Sequence, residues 1–344
     1  MVQFAWKRLV PAAASALVPR TRSSHGLSLV GKDLLLLYGG EHVARTPIDE
    51  EASMVWTYTI KDNAWKRVTC QGPSPPSRIA HAQAVHTTSG SVYIFGGRAG
   101  ITMEERAMND LWVLDTSTFT WKQVIPTNDA PEARSFHRMV CVHDSLYVFG
   151  GCGAMNGRLN DLHRFDISTA TWYSLGSSSL LRGRGGPSLF TIGQDRLAVV
   201  AGFAGEETND GHVYNFASNG WENEALTKKL EGLRPRSVCC GGTLSSVGVA
   251  LLVGGEVDPS DRGHEGAGGF ENDIVVLDSE TGAYVNTIPK TSTETPWPQE
   301  RGWADAAACD RSDGTASLFI FGGLSGDDAK PERLNDLWRL DVTK

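Results

Sequence analysis

The stretch LYVFGG, residues 146–151, places four apolar residues before a pair of glycines, and five similar stretches occur elsewhere in the 344-residue chain. The others, LLLLYGG, VYIFGG, LAVVAG, ALLVGG and LFIFGG, end at Gly40, Gly97, Gly202, Gly255 and Gly323. Successive stretches lie 51 to 68 residues apart. A recurring period of about fifty residues is typical of an architecture in which one supersecondary unit is repeated, here six times.

Each repeat carries two further landmarks. An arginine precedes the glycine pair by 16 to 21 residues, and these ring arginines are Arg22, Arg78, Arg134, Arg184, Arg236 and Arg301. In five repeats an Asn-Asp pair follows the glycines, with Ser53 at this place in the first repeat, and in four repeats an aromatic residue follows the asparagine by twelve positions, as Trp121, Trp172, Trp221 or Tyr284. Segments such as LWVLDTSTFTWKQV indicate two strands joined by a polar turn, so each repeat is predicted to contain four short strands.

The last repeat lacks its fourth strand, because the sequence ends at Lys344 soon after LWRLDV. Near the other end, FAWKRLV with Trp6 resembles the fourth strands NAWKRV and FTWKQV. We therefore expect the N-terminal strand to complete the last unit, which leaves no unpaired sheet edge.

The period, the glycine pair, the spaced aromatic residue and this terminal completion resemble the kelch repeat. The resemblance covers essentially the whole chain and implies an all-β fold, a six-bladed kelch β-propeller closed by the N-terminal strand. We expect one propeller over residues 1–344. Its predicted blades are close to 11–70, 71–126, 127–176, 177–226, 227–290, and 291–344 together with 1–10.

Composition excludes several classes of protein. The formal net charge of −8 and the absence of a long basic run argue against nucleic-acid binding, and no segment reaches the ~20 apolar residues of a membrane helix. The six cysteines lack metal-site or disulfide-framework spacing, which predicts reduced thiols and a cytoplasmic location, with the nucleus as a further compartment. No Ser-His-Asp arrangement, P-loop or nucleotide motif is recognised, so the sequence gives no support for a nucleophilic mechanism.

The longest segment between a glycine pair and the next Asn-Asp pair belongs to the fifth repeat, GGEVDPSDRGHEGAGGFEND at 254–273. It supplies carboxylates and one imidazole within ten residues, from Glu256, Asp258, Asp261, His264 and Glu265. Oxygen donors with one nitrogen suit a divalent cation such as ferrous iron or manganese better than a thiolate-seeking metal. The alternative is that acidic side chains in a loop simply face water.

Within the kelch superfamily, the RSSHG opening, Arg98 and this acidic loop resemble the plant nitrile-specifier, epithiospecifier and thiocyanate-forming proteins. Those iron-dependent proteins redirect the breakdown of glucosinolate aglucones. They space Glu, Asp and His by four residues, and here Glu256 and His264 match while Ser260 occupies the middle position. The resemblance implies an Fe2+ site in which Asp261 takes the middle role, and the departure suggests a sister group.

Arginines suit an anionic ligand, because a guanidinium makes bidentate contacts to sulfate or carboxylate. Arg98 follows only one glycine pair and aligns with an arginine of the specifier substrate pocket, so it leads a candidate catalytic set with Arg134 and Trp303. The alternative for most ring arginines is structural, with a neighbouring blade's backbone carbonyls or its aspartate, such as Asp115 or Asp166, as partners. For Trp303, packing between blades is an equal alternative to lining the pocket.

Two functional classes stay open. In the first, a metal-dependent lyase or isomerase of the specifier type acts on a small anionic substrate, on the face that carries the loops between second and third strands. In the second, the chain is a non-catalytic kelch module that binds a protein partner through those loops. Neither nucleic acid nor membrane is an expected partner.

Overall fold

The computed structural model describes residues 2–11, 17–100, 107–290, 296–311 and 313–344. The chain divides into two compact units, one of Pro11–Gly185 and one of Gly186–Lys344 together with Met1–Val10. Each unit contains three antiparallel sheets of four or five strands, which we call blades one to three and four to six in chain order, and one two-stranded ribbon. The described ranges contain 3-10 turns but no α-helix.

The first unit holds blades one to three. Blade one consists of Gly26–Val30, Leu34–Tyr38, Met54–Thr59 and Ala64–Thr69. Blade two consists of Ala82–Val85, Val92–Phe95, Leu111–Asp115 and Thr120–Val124. Blade three consists of Arg134–Ser135, Arg138–Val142, Ser145–Gly153, Arg158–Asp166 and Thr171–Ser177. A small ribbon of Glu41–Val43 with Thr46–Pro47 and the 3-10 helix Asp49–Glu51 occupy the loop of blade one.

The second unit holds blades four to six. Blade four consists of Ser188–Ile192, Arg196–Phe203, Glu207–Asn215 and Gly220–Trp221. Blade five consists of Cys240–Leu244, Val249–Val253, Asp273–Asp278 and Tyr284–Pro289. Blade six consists of Asp305–Asp310, Thr315–Gly326, Pro331–Thr343 and Gln3–Leu9. The remaining elements are the ribbon Glu256–Asp258 with Gly269–Phe270 and the 3-10 helices Leu226–Leu230, Ser245–Val247 and Gly263–Glu265.

The aromatic residue twelve positions after the asparagine packs between blades. Trp121 pairs with Leu114 across the third and fourth strands of blade two and is fully buried. Its ring centroid lies 5.2 Å from that of Tyr38, the last residue before the glycine pair of blade one. Trp172 repeats this contact against Phe95 at 5.0 Å. The two landmarks of the repeat therefore meet in the core, where large aromatic surfaces leave water.

The glycine pairs mark the places where one blade closely approaches the entry segment of the next. Gly96 has a φ of +63°, and a Cβ there would lie 2.7 Å from the Arg134 carbonyl oxygen. Glycine alone combines this backbone conformation with that approach at no steric cost. Blade four departs from the pattern, because Ala201 holds a φ of +60° at the equivalent position.

The N-terminal strand completes blade six, as predicted. Gln3–Leu9 pairs antiparallel with Pro331–Thr343, and Trp6 lies opposite Leu340. The Trp6 side chain is buried against Trp297 and Trp338, with ring centroids 6.0 and 6.2 Å away. The strand therefore covers an otherwise open edge and adds aromatic surface to the core.

All six cysteines lie within the described ranges, and each is a free thiol. In the part of the chain that the structure describes, no helix is long and apolar enough to cross a membrane.

The Trp6→Ala substitution should destabilise the second unit by about 3 kcal/mol or more, because it removes a buried aromatic side chain from the closing strand. Chemical denaturation followed by tryptophan fluorescence and circular dichroism measures this loss. Lys7→Ala, on an exposed position of the same strand, is the matched control and should be nearly neutral. Equal stability of both variants would contradict the role given to this strand.

Candidate functional site

Five of the six ring arginines bind a carboxylate of their own blade. Arg134 is fully buried, and its two terminal nitrogens contact the two carboxylate oxygens of Asp161 at 2.7 and 2.8 Å. It also donates to the Gly150 carbonyl at 3.0 Å. The same bidentate pair recurs as Arg78–Asp110, Arg236–Asp273 and Arg301–Asp336.

The aspartate partners are those of the Asn-Asp pairs, so the expectation of Asp115 and Asp166 as partners was wrong. Those two carboxylates lie at hairpin turns and accept hydrogen bonds from Ser117 and Ser168. Blade one has no Asn-Asp pair, and its ring arginine, Arg22, pairs with Glu51 at 2.8 Å instead. The ring arginine thus ties the entry segment of a blade to its second and third strands.

Arg134 has few donors left for a ligand. Besides Asp161 and Gly150, its Nε donates to the Glu132 carbonyl at 3.0 Å, so four of the five guanidinium N–H groups are used. Burial opposes ionisation of Asp161, but the hydrogen bonds from Arg134 and His163 outweigh it and hold the pKa of this carboxyl well below its usual range. These contacts favour the structural alternative for Arg134.

A backbone link joins neighbouring blades two residues after each ring arginine. Within the first unit, the Ala80 amide donates to the Ser24 carbonyl at 2.8 Å and the Phe136 amide to the Ala80 carbonyl at 2.9 Å. Within the second unit, the corresponding bonds run from Val238 to Gly186 at 2.9 Å and from Trp303 to Val238 at 3.0 Å. All six residues have positive φ angles between +46° and +59°.

Sequence reasoning missed this link, although its signal is a fixed distance of two residues from the arginine. Left-handed backbone is uncommon for residues other than glycine, and Phe136, Val238 and Trp303 are bulky. The interblade hydrogen bonds hold this conformation in place. Trp303 is therefore positioned by its backbone, and its half-buried ring contacts His264 edge-on at 5.0 Å between centroids.

Arg98 differs from the ring arginines. Its backbone exchanges two hydrogen bonds with Ile79, at 2.9 and 3.0 Å, which fixes the residue beside the entry segment of blade two. The side chain is half-buried, and its Nε is enclosed with no hydrogen-bond partner among the described residues. Burial raises the pKa of the nearby Cys152 thiol, against the influence of Arg158 and Arg98. Arg98 therefore adds a guanidinium that no described side chain neutralises.

Blade one carries a glutamate at the position of Arg98. Glu41 is fully buried and accepts hydrogen bonds from the hydroxyls of Ser23 and Ser24 at 3.2 and 3.0 Å. The Arg45 amide donates to its second oxygen at 2.6 Å. The two serines of the RSSHG opening thus support a buried carboxylate.

The three predicted metal ligands have different surroundings. Glu256 is buried and accepts hydrogen bonds from the backbone amides of Gly268 and Ser260. Burial raises its pKa to about 7, and these amides and His264 only partly offset the effect. Asp261 is exposed, and the half-buried His264 packs against Trp303.

Asp328, in the loop of blade six, organises the loop of blade five. Its carboxylate accepts hydrogen bonds from the Ser260 hydroxyl, from the Asp261 amide at 3.2 Å and from the Ala267 amide at 3.1 Å. Its carbonyl accepts a fourth from Arg262 at 2.6 Å. Ser260 is therefore occupied by a structural contact.

As arranged, this donor set does not fit a metal ion. Within the described ranges, no three His, Cys, Asp or Glu side chains are grouped so that they could hold one. A site made by Glu256, Asp261 and His264 would require the loop to move, since the Asp261 amide is tied to Asp328. Metal binding stays a prediction of the sequence.

A cavity of about 640 Å³ lies beside this loop. Six carboxylates line it, from Asp258, Asp261, Glu271, Glu300, Asp327 and Asp328. Arg234 contacts Glu271 and Asp258, which leaves an excess of negative charge. The lining therefore disfavours a small anion, and Arg98 is the better candidate for holding one.

Residues 24–255 match the family model described as the KLHDC2/KLHL20/DRC7 Kelch-repeats domain. The chain belongs to the kelch-repeat family. This membership agrees with the six described sheets and makes the fold a six-bladed kelch β-propeller, as predicted. The structure titled "Structure of YjhT" is similar in fold, with a TM-score of 0.69 and 17% identity over 93% of this chain and 95% of that one.

Among curated kelch relatives, this chain is 27% identical over 330 residues to the N-(sulfonatooxy)prop-2-enimidothioate sulfolyase of Thlaspi arvense, covering 89% of both chains. It is 32% identical over 160 residues to the Kelch domain-containing protein 10 of Rattus norvegicus. That match covers 45% of this chain and 37% of the rat protein. The likeness to the sulfolyase thus extends over nearly the whole propeller.

Replacing Arg134 with alanine should destabilise the first unit by about 3 kcal/mol, because it leaves the Asp161 carboxylate without its cation. Arg98→Ala should change stability little, since no described carboxylate depends on that guanidinium. Denaturant titration of both variants measures the difference. Equal losses would show that Arg98 also belongs to the scaffold.

The predicted metal site is tested by calorimetry with ferrous iron under anaerobic conditions, and with manganese and zinc. The hypothesis expects one ion per chain for the natural sequence and none for His264→Ala. Because His264 is in a loop, the metal-free variant should keep the natural melting temperature. Failure of all three ions to bind the unsubstituted protein would refute the hypothesis.

Proposed function

We propose that this protein is a specifier-type lyase that acts on a small sulfated substrate and that Arg98 holds the sulfate group. The proposal combines the likeness to a sulfolyase over 89% of both chains with the guanidinium on blade two. The enclosed Nε of Arg98, without a described partner, is the observation that carries it.

Arg98 is suited to this role because its own framework contacts are made through the backbone. Five ring arginines use their guanidinium groups to pair with carboxylates, whereas Arg98 is positioned by two main-chain bonds to Ile79. Its side chain therefore adds no described ion pair to the scaffold. A guanidinium with free donors binds sulfate oxygens in a bidentate manner.

The chemistry follows from the charge that develops in an elimination. When the N–O bond to the sulfonatooxy group breaks and sulfate departs with the bonding electrons, negative charge accumulates on the leaving sulfate. A fixed guanidinium stabilises that charge more strongly at a partly desolvated position than in water. Arg98 is half-buried, so it meets this condition while leaving one side open to a ligand.

The substrate class rests on the relative's name, which specifies an N-(sulfonatooxy) imidothioate and a sulfolyase activity. Such a compound carries a permanent negative charge, which the acidic cavity of blade five would repel. We assign no step to a metal ion, because the described donors of the blade-five loop do not converge. Arg134 and Trp303 act as positioning residues of the scaffold in this proposal.

The test is sulfate release from N-(sulfonatooxy)prop-2-enimidothioate, together with calorimetric binding of inorganic sulfate. Arg98→Ala should lower kcat/KM by about tenfold or more, as expected for loss of a charged hydrogen bond. Arg98→Lys should recover part of the loss, since it restores charge without the bidentate geometry. Arg67→Ala, at an exposed arginine on an outer strand, should leave both measurements unchanged.

Two results would reject the proposal. One is natural protein that neither releases sulfate nor binds it, which would favour the protein-interaction alternative. The other is release that is equally fast in Arg98→Ala and Arg67→Ala, which would move the anion site elsewhere on the propeller.

A further inference from the structure

A serine, a histidine and an aspartate form a continuous hydrogen-bonded chain on the first unit. Ser89 and His86 belong to the hairpin between the first two strands of blade two, and Asp144 belongs to the equivalent hairpin of blade three. The Ser89 hydroxyl lies 2.8 Å from His86 Nδ1, and His86 Nε2 lies 2.8 Å from an Asp144 carboxylate oxygen. The expectation of no Ser-His-Asp arrangement was therefore wrong.

These contacts determine where the protons lie. An ionised carboxylate only accepts hydrogen bonds, so the His86 nitrogen that faces Asp144 must carry the proton. In the neutral ring the other nitrogen is then an acceptor, and the Ser89 hydroxyl must donate to it. The Ser91 amide donates to the same Ser89 oxygen at 3.2 Å. The Ser89 hydroxyl thus directs its proton at the His86 ring, and one lone pair of its oxygen is occupied by the Ser91 amide while the other is available.

The histidine and the serine of this hydrogen-bonded series differ in exposure, as a base and a nucleophile require. The His86 side chain is only 10% exposed, which restrains the imidazole, whereas Ser89 is exposed and accessible to a reagent. Two other hairpin serines of this unit have a different partner. Ser117 and Ser168 donate instead to aspartates at 2.6 and 2.7 Å, within their own turns. Ser89 alone among these three has an imidazole as its partner.

We propose that Ser89, His86 and Asp144 form a second reactive site, in which Ser89 is a nucleophile toward small activated carboxylic esters. The Ser89 oxygen forms a bond to the acyl carbon while its proton passes to His86 Nδ1. The bond to the leaving alcohol breaks, and that oxygen takes the proton from His86. Water then cleaves the acyl–serine ester by the same base and restores the site.

Asp144 is a positioning residue in this scheme. It fixes the imidazole tautomer and stabilises the imidazolium that forms during acyl transfer. Asp144→Asn can present its amide nitrogen to His86 Nε2, which favours the opposite tautomer and places a proton on the nitrogen that should act as base. The aspartate side chain is 71% exposed, so this substitution tests the reaction without disturbing the core.

The experiment uses the full chain with a fluorophosphonate probe and with p-nitrophenyl acetate. Attack of Ser89 on the probe forms an O–P bond and expels fluoride, and peptide mass spectrometry locates the adduct. Labelling should occur on Ser89, disappear in Ser89→Ala and persist within about twofold in the matched control Ser117→Ala. Asp144→Asn should slow both labelling and nitrophenol release by at least tenfold. This loss is smaller than the loss expected when the aspartate of a triad is buried, because Asp144 is exposed.

Several results would overturn the proposal. They are absence of an adduct in the natural chain, an adduct on another residue, or equal nitrophenol release by Ser89→Ala and Ser117→Ala. If the Asp144→Asn variant reacts at the natural rate, the proposed cooperation of Ser89, His86 and Asp144 is also rejected. Melting temperatures of all variants establish that each is folded. None of these outcomes depends on sulfate release or on Arg98.

Discussion

The buried pair between an arginine and the aspartate of an Asn-Asp motif underlies the blades. In blades two, three, five and six, one guanidinium joins the entry segment to the third strand and to the carbonyl of the first glycine. Such a pair is costly to desolvate and is tolerated only when its hydrogen bonds are satisfied. The glycine pair is required for the same reason, because its carbonyl must reach the guanidinium where the next blade crosses.

The repeat and the closing N-terminal strand could be predicted because the sequence carries them as periodic spacing. The partners of the arginines were harder to predict, since Asp110 lies just before the third strand of blade two and Asp115 is the last residue of that strand. Which of them meets Arg78 depends on which end of the strand lies beside the entry segment, and spacing along the sequence does not show this. The structure assigns the role to Asp110.

Contacts between loops of different blades could not be read from spacing. Asp328 reaches the blade-five loop across more than sixty residues of sequence, and His86 reaches Asp144 across 58. Neither pair is marked by the spacing of the repeat. The same limit applies to the candidate site. Arg98 could be singled out because it follows only one of the glycine pairs. The proposed metal ligands were chosen from one short stretch of sequence, which does not show whether their side chains converge.

The interblade link two residues after each ring arginine separates architecture from surface chemistry. Its hydrogen bonds come from main-chain groups, so the side chain at that position contributes nothing to the link itself. The six positions accordingly carry six different residues, Ser24, Ala80, Phe136, Gly186, Val238 and Trp303. Gly186 is the exception to this freedom, because a Cβ there would lie 2.6 Å from Val238 Cγ1. At the other positions a substitution can exchange a hydroxyl for an indole without removing a hydrogen bond of the link, so surface chemistry can diverge while the frame is kept.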